Sequence, residues 1–165
     1  MNRFTDLVFN LCNKQDKSCE ESCQRRVKIM IILVMGLPGS GKTHLASRLA
    51  PLINAAWYNA DKIREMANDW DFTNEGRDRQ AKRMKNLADF EKTHKRFVVC
   101  DFICPTQKTR KIFDADIVIW MNTIKEGRFE DTNTLFESPN KVDFLITEWN
   151  DENHEYIAQA ILKNV

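Results

Sequence analysis

An α/β fold, with a parallel five-stranded sheet between two layers of helices, is predicted from three observations. Short apolar runs rich in β-branched residues alternate with longer amphipathic stretches, the pattern of strand, crossover helix and parallel strand. A glycine-rich turn joins the first apolar run directly to the first helical stretch. At 165 residues the chain has room for one core and too little for two ordinary domains.

Residues 1–26 are polar, without helical or strand period, and read as an N-terminal appendage, disorder being one reading, ahead of a domain over residues 27–165. Met30 stands at the start of the strongest strand signal, and a product beginning there would keep every motif below. Val27–Met35 (VKIMIILVM) is nearly all apolar, as expected of a central strand buried on both faces. After the turn, His44, Leu45, Leu49 and Leu52 recur at helical spacing, and Pro51 predicts where that helix stops. Ala55–Asn59 is a second strand, with Asp61 just beyond its carboxyl end at the mouth of the next helix. Residues 75–96 carry Ala81, Met84, Leu87, Ala88 and Phe90 at near-helical spacing and predict a long amphipathic helix. Phe97–Cys100 is the third strand and runs into Asp101; a short helix follows Pro105 and closes at Ile112 and Phe113; Asp116–Met121 is the fourth strand. Residues 122–140 lack a period and contain Gly127 and Pro139, which predicts a mobile loop in the position of a lid. Val142–Ile146 is the fifth strand, and residues 151–163 form a closing helix with Tyr156, Ile157, Ala160 and Ile161 inward.

Lys and Arg number 25 against 24 Asp and Glu, so no global field draws the chain to nucleic acid or an anionic membrane, and any anion must be held locally. The basic bias of residues 75–96 reads as a solvated helix face rather than an RNA surface, because no aromatics are interleaved with it. The longest apolar run, Ile29–Met35, falls far short of the roughly 20 residues that span a bilayer. Leu7–Phe9 is too brief for a signal-peptide core, so a cytoplasmic location is expected. Cys12, Cys19, Cys23, Cys100 and Cys104 are odd in number and lack paired Cys-x-x-Cys spacing, which favours reduced thiols; metal binding by the first three is the alternative.

Gly36-Leu37-Pro38-Gly39-Ser40-Gly41-Lys42-Thr43 fills the pattern G-x-x-x-x-G-K-[ST] completely, with a strand before it and a helix after it. Glycines let successive backbone N–H groups turn inward around a phosphate, at the positive end of the following helix. Lys42 adds a point charge between β and γ oxygens, and the Thr43 hydroxyl is a Mg²⁺ ligand. The fold is therefore of the P-loop NTPase type, and ATP with Mg²⁺ is the expected donor.

Phosphoryl transfer needs alignment of a nucleophile and neutralisation of charge, so carboxylates beside the loop come next. Asp101, at the end of the third strand, resembles a Walker-B carboxylate that holds Mg²⁺ directly or through water. Asp61 would orient the acceptor hydroxyl and take its proton, though an Asp there also suits a helix N-cap.

The stretch from Asn59 to Phe102 resembles the adenylylsulfate kinase family. That family shows Asp-Gly-Asp-Asn-x-Arg after its P-loop, then Asp-Leu-Gly-Phe-Ser, an Asp-Arg with Asn three residues on, and Ser-Phe-Ile-Ser-Pro at a strand end. Here the text is Asn59-Ala60-Asp61-Lys62-Ile63-Arg64, Asp69-Trp70-Asp71-Phe72-Thr73, Arg77 with Gln80, and Asp101-Phe102-Ile103-Cys104-Pro105. The resemblance covers roughly residues 30–147. It implies that Asp61 is the catalytic carboxylate, that Arg64 and Arg77 hold the acceptor's phosphosulfate, and that Phe72 stacks on its adenine, with Gln80, Phe102 and Ile103 beside it. On the residues alone, Arg64 and Arg77 read as solvated helix positions and Phe72 as core.

Asn59, Gln80, Asp101 and Cys104 depart from the family's Asp, Asn, Ser and Ser, and the lid is shortened to Lys125–Asn133. Arg128 is the candidate lid charge reaching ATP, and Phe136 a second aromatic wall. The resemblance implies transfer of the γ-phosphoryl group to the 3′-hydroxyl of adenylylsulfate. The departures leave open a kinase for another nucleotide, nucleoside or nucleotide-linked acceptor, and a nucleotide sensor or scaffold with little turnover. The assembly is open as well, a homodimer among the alternatives.

Overall fold

The computed structural model of the chain describes residues 28–163. The N-terminal appendage, with Cys12, Cys19 and Cys23, lies outside the described residues, as does Val27.

Five strands, β1 (Ile31–Gly36), β2 (Ala56–Asn59), β3 (Val98–Asp101), β4 (Ile117–Met121) and β5 (Phe144–Ile146), form one sheet in the order β2-β3-β1-β4-β5. Every neighbouring pair is parallel. Six helices connect and close it: α1 (Lys42–Leu52), α2 (Ala60–Met66), α3 (Asn74–Thr93), α4 (Gln107–Phe113), α5 (Glu130–Leu135) and α6 (Asn153–Lys163).

The apolar run at the start of the domain becomes the central strand because it can be buried on both faces. All six residues of β1 are buried. Ile32 and Val34 pack with Leu45, Leu49, Ile157 and Ile161 from α1 and α6. Ile31, Leu33 and Met35 face the other way, onto Ala81, Met84 and Ala88 of α3 and Phe113 of α4. Alternation along one strand thus fixes the three-layer arrangement, each large side chain contributing about 2 kcal/mol by leaving water.

Among the described residues the strand starts at Ile31, leaving Lys28, Ile29 and Met30 outside it; there the Asp116 carboxylate accepts from the Ile31 N–H at 2.7 Å. Asp116 therefore closes the edge of the sheet instead of opening β4. Residues 122–140 are not all loop: α5 forms inside them. Gly127 and Asn133 clamp the turn ahead of it, the Gly127 N–H donating to Asn133 Oδ1 at 2.8 Å and Asn133 Nδ2 to the Gly127 carbonyl at 3.1 Å. In α6 the inward residues are Ile157, Ala158 and Ile161, while Tyr156 is 67% exposed and meets the Phe144 ring edge-on. Phe90 of α3 is likewise exposed. The basic side chains of α3 find acidic partners within the fold, Arg79 and Arg83 on Asp69 and Lys92 on Asp116. Cys100 and Cys104 are free and buried, and burial raises both thiols, Cys104 to about 12.

The chain leaves β1 toward β2 on one side and reaches β4 on the other only after β3. A crevice at the carboxyl ends of β1 and β3 is where such a sheet binds ligands. Gly36, Asn59 and Asp101 all end strands on that edge.

Candidate active site

Between β1 and α1 the chain turns through a tight loop. Gly36, Gly39 and Gly41 have φ of 147°, 93° and 91°, which side chains resist. A Cβ on Gly36 would lie 2.4 Å from the Met121 carbonyl oxygen, a backbone atom that cannot yield. At Gly41 the obstacle is the Trp149 indole, 1.8 Å from such a Cβ. The Thr123 hydroxyl ties the loop to β4 by donating to the Ser40 carbonyl at 2.8 Å. Lys42 Nζ folds over the loop and donates to the Leu37 carbonyl at 2.8 Å. Burial lowers its pKa from 10.5 to about 8, against the opposing pull of Asp101 and then Asp61.

Beside this loop lies a knot of polar side chains around Asp101, which is only 1% exposed. Asp101 Oδ2 accepts from the Thr43 hydroxyl at 2.7 Å and from Asn59 Nδ2 at 2.8 Å; its Oδ1 accepts from the Trp57 indole N–H at 2.7 Å. Because the Thr43 proton is committed to Asp101 and one lone pair of its oxygen accepts from Asn59 Nδ2 at 3.2 Å, the other lone pair remains for another partner. Asn59 also caps α2, its Oδ1 accepting from the Lys62 N–H at 3.0 Å. The helix-cap reading of Asp61 is thereby overturned, since Asn59 occupies that place and Asp61 sits exposed in the first turn.

A cleft of about 630 Å³ joins these groups. Pro38, Gly39, Gly41, Lys42, Thr43 and Asp101 line it together with Asp61, Phe72, Arg77, Phe102 and Ile103, and Arg128 comes from the lid segment. Phe72 is 49% exposed, so it is not core. Arg77 is no solvated helix residue either: its side chain is 10% exposed, with Nε donating to the Phe72 carbonyl at 2.9 Å and Nη2 to Asp131 at 3.3 Å.

Three expected site residues stand elsewhere. Arg64 is buried, and its Nη1 donates to the carbonyls of Asp69 and Asp71 at 2.9 and 3.0 Å. Its guanidinium centre lies 4.7 Å from the centroid of Phe72, so it builds the loop that carries Phe72 and does not line the cleft. Burial lowers its pKa, with Asp69 opposing. Gln80 is buried under α2, its Nε2 donating to the Ala60 carbonyl at 3.1 Å while it accepts from Arg83. Phe136 stacks on Trp120 with ring centroids 6.3 Å apart and packs against the core. Besides Phe72 and the buried Phe102, the aromatic residues that line the cleft are Trp70 and Phe129, both about half exposed.

Sequence alone assigns no role to Trp57, Trp70, Phe129 or Asp131. For Trp57 a signal existed: in a strand, residues two apart share a face, so Trp57 lies on the Asn59 side of β2. For Phe129 and Asp131 none did, because a segment without period gives no direction to its side chains.

The arrangement fits Mg²⁺ and a polyphosphate. The loop turns through left-handed glycines, Lys42 is buried beside it, and the Thr43 hydroxyl and Asp101 carboxylate supply the hard oxygens that Mg²⁺ prefers. In addition, the Ser40 hydroxyl is buried in the loop without a hydrogen-bond partner among the described residues. In the same cleft, the Asp61 carboxylate can accept a proton from a hydroxyl aimed at the loop.

The sequence model of the adenylylsulphate kinase family matches residues 28–124. A protein of Aeropyrum pernix described as a probable adenylyl-sulfate kinase is 32% identical over 94 residues, which cover 52% of this chain and 50% of that protein. The match thus spans about half the length of that curated relative. The structure of the Mycobacterium tuberculosis APS kinase CysC in complex with AMPPNP and APS is similar, with a TM-score of 0.63 and 16% identity over 82% of this chain and 96% of that one. A sugar kinase from a Janibacter species has the same TM-score, 0.63, at 16% identity over 82% of this chain and 95% of its own. At such identities the likeness is one of fold.

Proposed function

The chain belongs to the adenylylsulphate kinase family and is a P-loop kinase, and from that premise we propose that its acceptor is the 3′-hydroxyl of adenylylsulfate. One observation carries the reading: Lys42, the Thr43–Asp101 pair and Asp61 face a single cleft, with the half-exposed ring of Phe72 on the acceptor side. In the reaction the acceptor oxygen forms a bond to the γ-phosphorus as the bond to the β–γ bridging oxygen breaks, releasing ADP. Asp61 orients the hydroxyl and takes its proton. Lys42 leaves the Leu37 carbonyl for the phosphate oxygens. Bound through Thr43, with Asp101 behind it, Mg²⁺ would neutralise charge on the β and γ oxygens. Phe72 offers a face for a purine, and Arg128, on the lid segment, a charge for ATP. The M. tuberculosis enzyme of like fold, solved with AMPPNP and APS, supports this pairing of ligands. A cytoplasmic setting accords with a chain in which no described helix is long and apolar enough to cross a membrane.

A second reading has its own observation. Arg64 spends its donors on the 69–71 backbone, and Arg77 is engaged by Asp131, so few cations remain free for a phosphosulfate. That favours a less anionic acceptor carrying an aromatic base. Coupled ADP release with Mg-ATP and a panel of adenylylsulfate, nucleosides and nucleoside diphosphates decides between them. Turnover with adenylylsulfate alone supports the first; turnover with another acceptor and none with adenylylsulfate removes it.

A further inference from the structure

Asp101 is held from two directions, and one of the holders is unusual. Thr43 and Asn59 both donate to Oδ2, as expected of groups packed around a metal-facing carboxylate. Oδ1 is taken by the indole N–H of Trp57 at 2.7 Å, from a residue on the edge strand β2. Trp57 is 38% exposed, so its ring is not needed to fill the core, yet its single polar atom is directed inward onto a carboxylate that is 1% exposed.

We propose that Trp57 is a positioning residue that fixes the rotation of the Asp101 carboxylate, so that Thr43 is presented to Mg²⁺ with its proton turned away and the lone pair not taken by Asn59 free. The inference rests on the kinase reading above and extends it to a residue outside the P-loop and its carboxylates. A carboxylate gripped at one oxygen can swing about its Cβ–Cγ bond; gripped at both, it cannot. An indole N–H suits the task because it only donates. It cannot bind the metal in competition with Asp101, nor accept the Thr43 proton. Asp101 is 1% exposed, so without Trp57 the unsatisfied Oδ1 would turn toward the Lys42 ammonium that the phosphates need, swinging Oδ2 away from the Thr43 hydroxyl. Partners behind a metal site are worth roughly 10-fold to 100-fold in metal affinity in comparable cases.

The test is calorimetric titration of the full chain with ADP, in Mg²⁺ and in chelator, for the natural protein, Trp57→Phe and Trp57→Gln. The expected result is that the gain in ADP affinity caused by Mg²⁺ falls roughly tenfold in Trp57→Phe, that affinity in chelator is unchanged, and that the glutamine amide restores most of the gain. Trp57→Met, also without a donor, takes the place of Trp57→Phe if that variant does not fold. An unchanged Mg²⁺ gain in the donor-free variant overturns the proposal. So does a loss of ADP affinity that is equal with and without the metal, or a glutamine variant as impaired as the phenylalanine one, since each assigns the effect to packing. Absence of any Mg²⁺-dependent gain in the natural chain would instead remove the kinase reading on which the proposal stands, and the proposal with it.

Discussion

Asn59 and Asp101 are register partners at the carboxyl ends of β2 and β3, and the Asn59 amide donates to the Asp101 carboxylate at 2.8 Å. In the family pattern the same two positions carry an aspartate and a serine. The carboxylate has crossed to the neighbouring strand, and the amide left behind donates to it.

A double-mutant cycle checks this exchange. Asn59→Asp alone sets two carboxylates against each other in a site where one is almost fully buried, and should destabilise the metal-free chain by about 3 kcal/mol in urea unfolding. Adding Asp101→Ser should recover most of that loss, with an interaction energy above about 1 kcal/mol. A neutral single variant would mean that the two positions are not electrostatically linked.

Nucleotide affinity should depend on pH through Lys42, whose pKa burial lowers from 10.5 to about 8. The free chain loses the charge above about 8, whereas bound phosphate oxygens hold the proton on. Binding then takes up a proton between about 8 and 10.5, and ADP affinity should fall up to roughly tenfold per pH unit in that window. The unfolded lysine keeps its proton to near 10.5, so the unfolded chain binds more protons there and the free protein gains stability from this group as pH rises through the window. Titrations in buffers of different ionisation enthalpy would read the proton uptake directly. Lys42→Met should bind weakly and without this pH dependence.

Asp61→Asn should lower turnover by about a hundredfold or more and leave ADP affinity little changed, because in the proposed reaction the carboxylate takes the acceptor's proton while the nucleotide is held by the P-loop and Lys42. Asn59 already caps α2, so the substitution removes no cap. Single-turnover assays with saturating nucleotide would measure the effect. A full rate in Asp61→Asn would move the base elsewhere in the cleft.

The P-loop and the sheet were legible because their signals are local: six consecutive buried residues make β1, and the turn that follows is dictated by backbone angles only glycine adopts readily. Asp61 and Asp101 were legible for the same reason, each standing where a strand ends. Arg64 was not, since nothing in its neighbours says that its donors go to the carbonyls of Asp69 and Asp71. The same holds for Phe136, drawn onto Trp120 by packing across the sheet edge, and for α5, whose sequence Glu130–Leu135 has too few apolar residues to show a period. What the sequence leaves unread is tertiary choice among equally polar or equally aromatic candidates.

The lid offers the sharpest test of the acceptor. Asp131 of α5 reaches Arg77 at 3.3 Å, and its carboxylate occupies a donor that an anionic acceptor would need. Asp131 is 70% exposed, so the ion pair is screened and its loss should change stability by less than about 1 kcal/mol. Asp131→Asn frees Arg77 from a competing charge. For adenylylsulfate, KM should fall by roughly threefold to tenfold with kcat little changed, and the fall should shrink as salt is raised. For an uncharged nucleoside the same variant should leave KM where it was. Steady-state kinetics on one variant thus separates the two acceptor classes, because only an anion competes with Asp131 for Arg77.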